Sequence, residues 1–410
     1  MKLLTLLTII IPNCFFGQIN WTIYNVSNSP LPYNQVNDIA LDINNNLIIG
    51  TEYGLATLNN YEDWNIYLDE GENLGLISNI VKSIEINLNN DIWACGPDGV
   101  SIIHANDNWS YLNTSNSDLP SNFVRSILFE DDAKTWIGST GGLVLIENNI
   151  WNIYDFGAIA GIFSNNITKI IKHPSNENVF IGTLNGGLVN YNSDFTFFNN
   201  TNSELLDNTI VDLIFDTNEN LIMTTPFGGL GVLSSTNSWI WFNSETNPSL
   251  PFFINSLGDI SIDNNNNLWI VTIEDGLIKY SNNNWTFYNT ENSNIPDDNI
   301  NCITYDNINN CMWIGTETEG LVLMDLENIN ISETSNNPIL KIQNPHYNTS
   351  LIIESKKQTS ISIFNYNGSL IKTVKLEKGL NSIYMNECNS GIYFIYTPEL
   401  NNHLYQIMKI

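Results

Sequence analysis

Residues 285–325 read WTFYNTENSNIPDDNINCITYDNINNCMWIGTETEGLVLMD. An aromatic strand (Trp285, Phe287, Tyr288) opens the stretch and a polar Asn/Ser/Pro loop follows. A strand then starts at Ile300, an Asn-rich turn leads into Met312-Trp313-Ile314-Gly315-Thr316, and a last strand follows Gly320-Leu321. Almost everything upstream is a copy of this unit.

The opening aromatic recurs as Trp21, Trp64, Trp109, Trp151, Phe195, Trp239 and Trp285, at intervals of 43, 45, 42, 44, 44 and 46 residues. The Trp-Ile-Gly-Thr landmark recurs as Ile48–Thr51, Trp93–Gly96, Trp136–Ser139, Phe180–Thr183, Ile222–Thr225 and Trp269–Thr272. The closing Gly recurs as Gly54, Gly99, Gly142, Gly187, Gly229, Gly276 and Gly320. A period of this size with several short strands per unit marks a radial array of small sheets. Aromatic, branched and small residues in sequence suit a strand buried on both faces, and the Gly suits a tight turn with positive φ. The expected fold is all-β, a seven-bladed β-propeller. Because the chain starts on the aromatic strand and the seventh copy stops before one, the N-terminal strand is expected to complete the last blade and remove a free sheet edge.

The pattern L-P-x-N-x-V-x-x-I-x-x-D, then L-W-I-G-T, then G-L, resembles the two-component regulator propeller repeat. Leu31-Pro32-Tyr33-Asn34-Gln35-Val36 with Asp42, and Leu119–Val124, carry it most closely, and the resemblance spans about residues 21–328. It implies a seven-bladed ring of the kind found in periplasmic sensors. The chain departs from those sensors in having one ring, no transmembrane helix and no kinase.

The totals bound the partners. Fourteen basic against 43 acidic residues leave a net charge of −29, which argues against a nucleic-acid partner. Met1-Lys2, the apolar run Leu3–Ile11 and Gly17 before Gln18 read as a secretory signal peptide over residues 1–17, too short to span a bilayer as a resident helix. Cys14 lacks the small residues ahead of it that a lipidation box needs. Cys95, Cys302, Cys311 and Cys388 remain as free or buried thiols, since a hairpin turning at Asp306–Asn310 would hold Cys302 and Cys311 too far apart for a bridge. The propeller is placed at 18–330. From Ile331 onward the charge balance changes, with seven of the 14 basic residues in this segment, which marks a second domain over 331–410.

That tail alternates like a small Ig-like β-sandwich. Lys341-Ile342-Gln343-Asn344-Pro345, Ile361–Asn365 with Gly368, Gly379-Leu380-Asn381, Gly391–Ile395 and the closing Lys409-Ile410 resemble the C-terminal sorting domain of type IX secretion. The resemblance implies the type IX secretion machinery as a partner of residues 331–410. It also implies a secreted or outer-surface location on a Gram-negative bacterium after leader cleavage.

Candidate site residues follow from asymmetry among the repeats. Asn34, Asn79, Asn122, Asn165, Asn208, Asn255 and Asp298 recur before each first inner strand and read as a polar ring near one channel mouth. Its preferred role is structural, because Asn and Asp side chains accept from loop amides. Lys82 and Arg125 share one position in blades 2 and 3, with Lys169 one residue later in blade 4; Arg125 is the only arginine. Three cations at neighbouring mouths suit a carboxylate or sulfate. Tyr53, Asp98, Phe227 and Glu274, with Glu52 and Asp275, fall on loops of the same mouth, where exposed aromatics suit stacking. Asp42–Asn46 and Asp216–Asn220 resemble the start of a calcium loop but lack its Gly and Glu, so they read as turns. No catalytic template, metal spacing or cofactor motif is present.

The expectation is a non-catalytic binding or sensor-like propeller for a glycan, peptide or protein. The alternatives are a structural or secretion-accessory surface protein without a small ligand, and a polysaccharide hydrolase or lyase whose carboxylate pair only geometry would reveal.

Overall fold

The computed structural model describes residues 20–69, 75–106, 108–131, 133–158, 164–243, 256–326, 340–342, 346–347, 350–365, 370–385, 391–396 and 404–409. The leader over 1–17, Cys14, Asn255 and Cys388 lie outside them. Asn20–Leu326 forms one compact unit, and the strands from Leu340 onward belong to another.

The first unit is a seven-bladed propeller of four-stranded antiparallel sheets. Blade 1 runs outward through Val36–Leu41, Leu47–Thr51, Gly54–Asn59 and Asp63–Tyr67. The inner strands of blades 2 to 7 are Ser83–Ile86, Val124–Asp131, Ile167–Lys172, Asp212–Phe215, Leu257–Ile262 and Ile300–Asp306. Blade 7 continues through Cys311–Thr316 and Leu321–Asp325, and its outermost strand is Asn20–Tyr24 from the start of the chain. Trp21 pairs with Met324 and Tyr24 with Leu321, so two distant segments close the ring.

The repeated landmarks explain why each blade folds alike. The second strand of blade 1, Leu47–Thr51, is buried throughout, as is Leu268–Thr272 in blade 6, because neighbouring blades cover both faces. Each fully buried aliphatic there contributes about 1.5–3 kcal/mol. The landmark Thr turns its hydroxyl back on the closing Gly: Thr51 Oγ1 donates to Gly54 O at 2.8 Å and Thr316 Oγ1 to Gly320 O at 2.9 Å. All seven closing glycines have positive φ. At Gly320 (φ +99°) an added Cβ would also lie 2.2 Å from Tyr24 O, so the closure itself requires glycine. Asn-rich loops are bonded turns, as where Asp42 Oδ1 accepts the amides of Asn44 and Asn46 at 2.8 and 2.7 Å. Asp216 does the same for Asn218 and Asn220, both at 2.8 Å.

The second unit comprises two sheets. Leu340–Ile342, Ser350–Ser355 and Gly379–Tyr384 form one. His346–Tyr347, Leu404–Lys409, Gly391–Tyr396, Thr359–Asn365 and Leu370–Leu376 form the other. Leu351, Ile353 and Ile383 from the first pack with Ile361, Ile363, Leu376 and Ile395 from the second, which makes a small sandwich core.

Candidate functional site: the central channel

An inner strand offers a free edge to the channel, and its amides need acceptors. Bulges supply them. In blades 1, 3, 4, 6 and 7 the register slips near the start of the inner strand, between Val36 and Asp38 in blade 1 and between Ile167 and Lys169 in blade 4. Two consecutive side chains then face the channel instead of alternating. Asp38 Oδ2 accepts the Ile84 amide of blade 2 at 2.6 Å, Ser126 Oγ the Ile170 amide of blade 4 at 3.1 Å. Asp212 Oδ2 accepts the Ile260 amide at 3.0 Å and Asp259 Oδ2 the Ile303 amide at 2.8 Å. Each clasp ties one blade to the next.

Charge gathers at this level. Lys169 Nζ lies 3.1 Å from Asp212 Oδ1, with about a third of its side chain open to the channel. Asp212 and Asp259 share a hydrogen bond. Burial and its Asp212 neighbour hold the Asp259 carboxyl well above the ordinary range, so it keeps the shared proton. Asp212 lies below the ordinary range; burial opposes that, and Lys169 and the hydrogen bonds outweigh it. Burial pushes Asp38 up as well, and Glu85, on the next level along the axis, is pushed up to about 7.

The channel encloses about 900 Å³, and Lys82, Arg125 and Lys169 all line it. They differ in what they touch. Lys82 Nζ meets Glu52 Oε2 at 2.5 Å and Asn37 Oδ1 at 3.2 Å. Lys169 is not at the mouth but one residue further along its inner strand, held by Asp212; the bulge after Ile167 takes it there. Arg125 makes no ion pair among the described residues. Its Nε is buried without an acceptor, Phe123 lies 5.3 Å from its guanidinium carbon, and burial lowers its pKa.

The loop candidates stay outside the channel lining. Tyr53 and Phe227 are 53% and 80% exposed, and Asp98 and Glu274 are exposed on the corresponding turns. The six described members of the polar ring also lie outside it. Each accepts a backbone amide of its own loop: Asn34 from Val26 (3.0 Å), Asn79 from Asp69 (2.8 Å) and Asn122 from Thr114 (2.8 Å). Asn165 accepts from Gly157 (2.7 Å), Asn208 from Asn200 (2.8 Å) and Asp298 from Thr290 (2.7 Å). Sequence reasoning missed the clasping acids. The signal was available, since Asp38, Asp212 and Asp259 fall at one position of the repeat.

Ring and tail together define a class: a propeller that carries an export signal at its C-terminal end and is secreted or held at the cell surface. Residues 344–409 match the secretion system C-terminal sorting domain, which engages the secretion machinery. The chain is similar in structure to PorZ, an essential surface component of the type-IX secretion system of Porphyromonas gingivalis. The identity is 14% and the TM-score 0.61, over 94% of this chain and 61% of that one. It is likewise similar to the extracellular domain of a protein of B. thetaiotaomicron described as a hybrid two-component system. There the identity is 14% and the TM-score 0.60, over 96% of this chain and 60% of that one. Both likenesses are of fold, and this chain spans about three fifths of each structure. None of the curated proteins matches the sequence.

Proposed function

We propose that the protein is a non-catalytic recognition propeller of the cell surface, which engages an acidic glycan, peptide or protein at the Arg125 end of its channel. One observation carries this reading: the only arginine of the chain lines an open cavity with a buried Nε that no acceptor meets. A ligand carboxylate or sulfate would supply the missing bidentate partner. Lys82, held by Glu52, would add charge at the rim, and exposed Tyr53 and Phe227 would offer stacking faces nearby. The same proposal takes residues 1–17 as a leader, 18–330 as the recognition ring and 331–410 as the part handed to the secretion machinery.

A structural or secretion-accessory role has one observation in its favour: the channel acids are engaged with backbone amides of adjoining blades. The deciding experiment is retention of the full chain on an acidic polysaccharide. Lys82→Ala with Arg125→Ala should abolish retention and leave the thermal midpoint nearly unchanged. Equal retention by the double variant removes the site. No retention by either form, with capture of secretion components, favours the accessory role.

A further inference from the structure

Blade 2 brings together three residues from three different strand ends. Asp91 lies in the turn before its second strand (Ile92–Gly96), His104 just after its third (Gly99–Ile103) and Ser110 on its outermost (Trp109–Leu112). Ile92 pairs with Ile103 and Ile102 with Ser110, so alternation sets all three side chains on the face turned to blade 3. Ser110 Oγ lies 2.8 Å from His104 Nε2, and His104 Nδ1 lies 3.3 Å from Asp91 Oδ2. The Asp91 carboxyl sits below the ordinary range. Burial opposes that, and hydrogen bonds from Asn87, the Ala105 amide (3.1 Å) and His104 outweigh it. An ionised carboxylate only accepts, so Nδ1 carries the imidazole proton and Nε2 accepts the Ser110 O–H. Nucleophile, base and orienting acid thus stand in the order of an activated serine, with the first contact inside the reach of about 2.6–3.2 Å that proton transfer needs.

The fold does not require this set. Three other blades close the same turn with the two groups the other way round. Asn46 Nδ2 donates to Asp42 Oδ2 at 3.0 Å, Asn220 to Asp216 at 2.8 Å and Asn267 to Asp263 at 2.8 Å. In blade 2 Asn87 Nδ2 donates to Asp91 Oδ2 at 2.9 Å, so the turn is satisfied and its carboxylate stands beside His104 instead. The register equivalents of His104 and Ser110 are Asn59 and Asn65 in blade 1, and Ser281 and Thr286 in blade 6. His173 of blade 4 meets the Ser175 hydroxyl at 3.5 Å but no carboxylate among the described residues.

We propose that Ser110 is an acyl acceptor, which takes a short acyl group from an activated ester. Ser110 Oγ forms a bond to the acyl carbon as the bond from that carbon to the leaving oxygen breaks. The Oγ proton passes to His104 Nε2 and on to the leaving oxygen, so the products are the acyl-serine and an alcohol. Asp91 is a positioning residue, which fixes the tautomer and stabilises the transient imidazolium. His104 is 34% exposed and Ser110 half-buried, so the hydroxyl is open to a reagent. Ile102 opposite Ser110 and Leu112 two residues on belong to the apolar wedge between blades 2 and 3, whose edge would receive a short acyl chain. The site lies on the outer part of blade 2, away from the channel, and does not rest on the function proposed there.

The test treats the full chain with p-nitrophenyl acetate at neutral pH, quenches in acid and maps the acetylated peptides. Acetyl should appear on Ser110 ahead of every other serine and vanish in Ser110→Ala. His104→Gln should slow it roughly 100-fold or more, the usual worth of a general base. In Asp91→Asn the Ala105 amide keeps the side-chain oxygen, which turns an NH2 toward Nδ1. Labelling should slow at least about tenfold, and the nitrogen-15 signals of His104 should change to the opposite tautomer. Thermal midpoints of the variants are read alongside. Acetyl on lysines with none on Ser110 of the wild-type chain overturns the proposal without recourse to any variant. So does a wild-type rate at Ser110 in His104→Gln, or an unchanged tautomer and rate in Asp91→Asn.

Discussion

Lys169 Nζ lies 3.1 Å from Asp212 Oδ1 on the neighbouring inner strand, and its charge also reaches Asp38, Glu85 and Asp259. Removing it leaves a set of enclosed acids without their counter-charge. Lys169→Met should destabilise by about 1–3 kcal/mol, below the 3–5 of a fully buried pair because channel water screens the lysine. Lys169→Met with Asp212→Asn should recover part of the loss. Urea unfolding of both variants checks the coupling.

Glu85 gives the ring a pH dependence of definite sign. Its folded pKa, about 7, lies above the value of about 4.3 expected in the unfolded chain, so the folded state holds the proton more tightly. That contribution is fully present below about pH 4 and is lost as pH rises through 7. Glu85→Gln lacks this loss. The stability of the variant relative to wild type should therefore rise between pH 4.5 and 7.5, read from urea midpoints; a flat difference would count against the assignment.

The seam between blades 7 and 1 rests on Asp306, which is 1% exposed. Its Oδ2 accepts from Tyr61 (2.9 Å), Asn45 (3.0 Å) and Asn309 (2.8 Å), and its Oδ1 from the Ile308 and Asn309 amides, both at 3.0 Å. Tyr61→Phe should cost about 1.5–3 kcal/mol, the usual worth of a hydrogen bond to a charged group. Asp306→Ala, which orphans all five donors, should cost more. Thermal melts of the two variants give the order.

Closure at Gly320 is a separate matter of backbone shape. Gly320→Ala would force a left-handed φ on alanine and drive its Cβ into Tyr24 O, so a loss of about 1–3 kcal/mol is expected. Protection of the Trp21–Tyr24 amides from hydrogen exchange should fall with it, since these residues pair with the strand that Gly320 leads into.

The described thiols should be silent in the native protein. Cys95, Cys302 and Cys311 are buried, and burial raises all three, Cys311 to about 12. Peptide-mapped alkylation at pH 8 should label them only in urea; native labelling at any of the three would contradict their placement.

The ring was legible because its rules are local and repeated. A closing Gly with positive φ leaves its trace in all seven blades, and a Thr or Ser hydroxyl that returns to that Gly carbonyl leaves its own in six, whatever surrounds them. The channel was less legible because its contacts cross blades. Glu52 is 30 residues from the lysine it holds. The bulge after Ile167 turns Lys169 inward, which alternation of side chains along a strand does not reveal. The repeated Asn positions read as structural, and the six described members accept amides of their own loops. The two consecutive polar positions of the inner strand, Asn37-Asp38 and Thr168-Lys169, were the better guide to what faces the channel.

The central claim is that an unpaired Arg125 makes the channel a recognition site for acidic groups. Its most direct test is titration calorimetry of the full chain with polygalacturonate and with the same polymer after reduction of its carboxyl groups. The account predicts binding of the acidic form only, weakened about tenfold or more by Arg125→Gln, which removes a charged hydrogen-bond pair. Equal binding of the reduced polymer, or full affinity in Arg125→Gln, would contradict it.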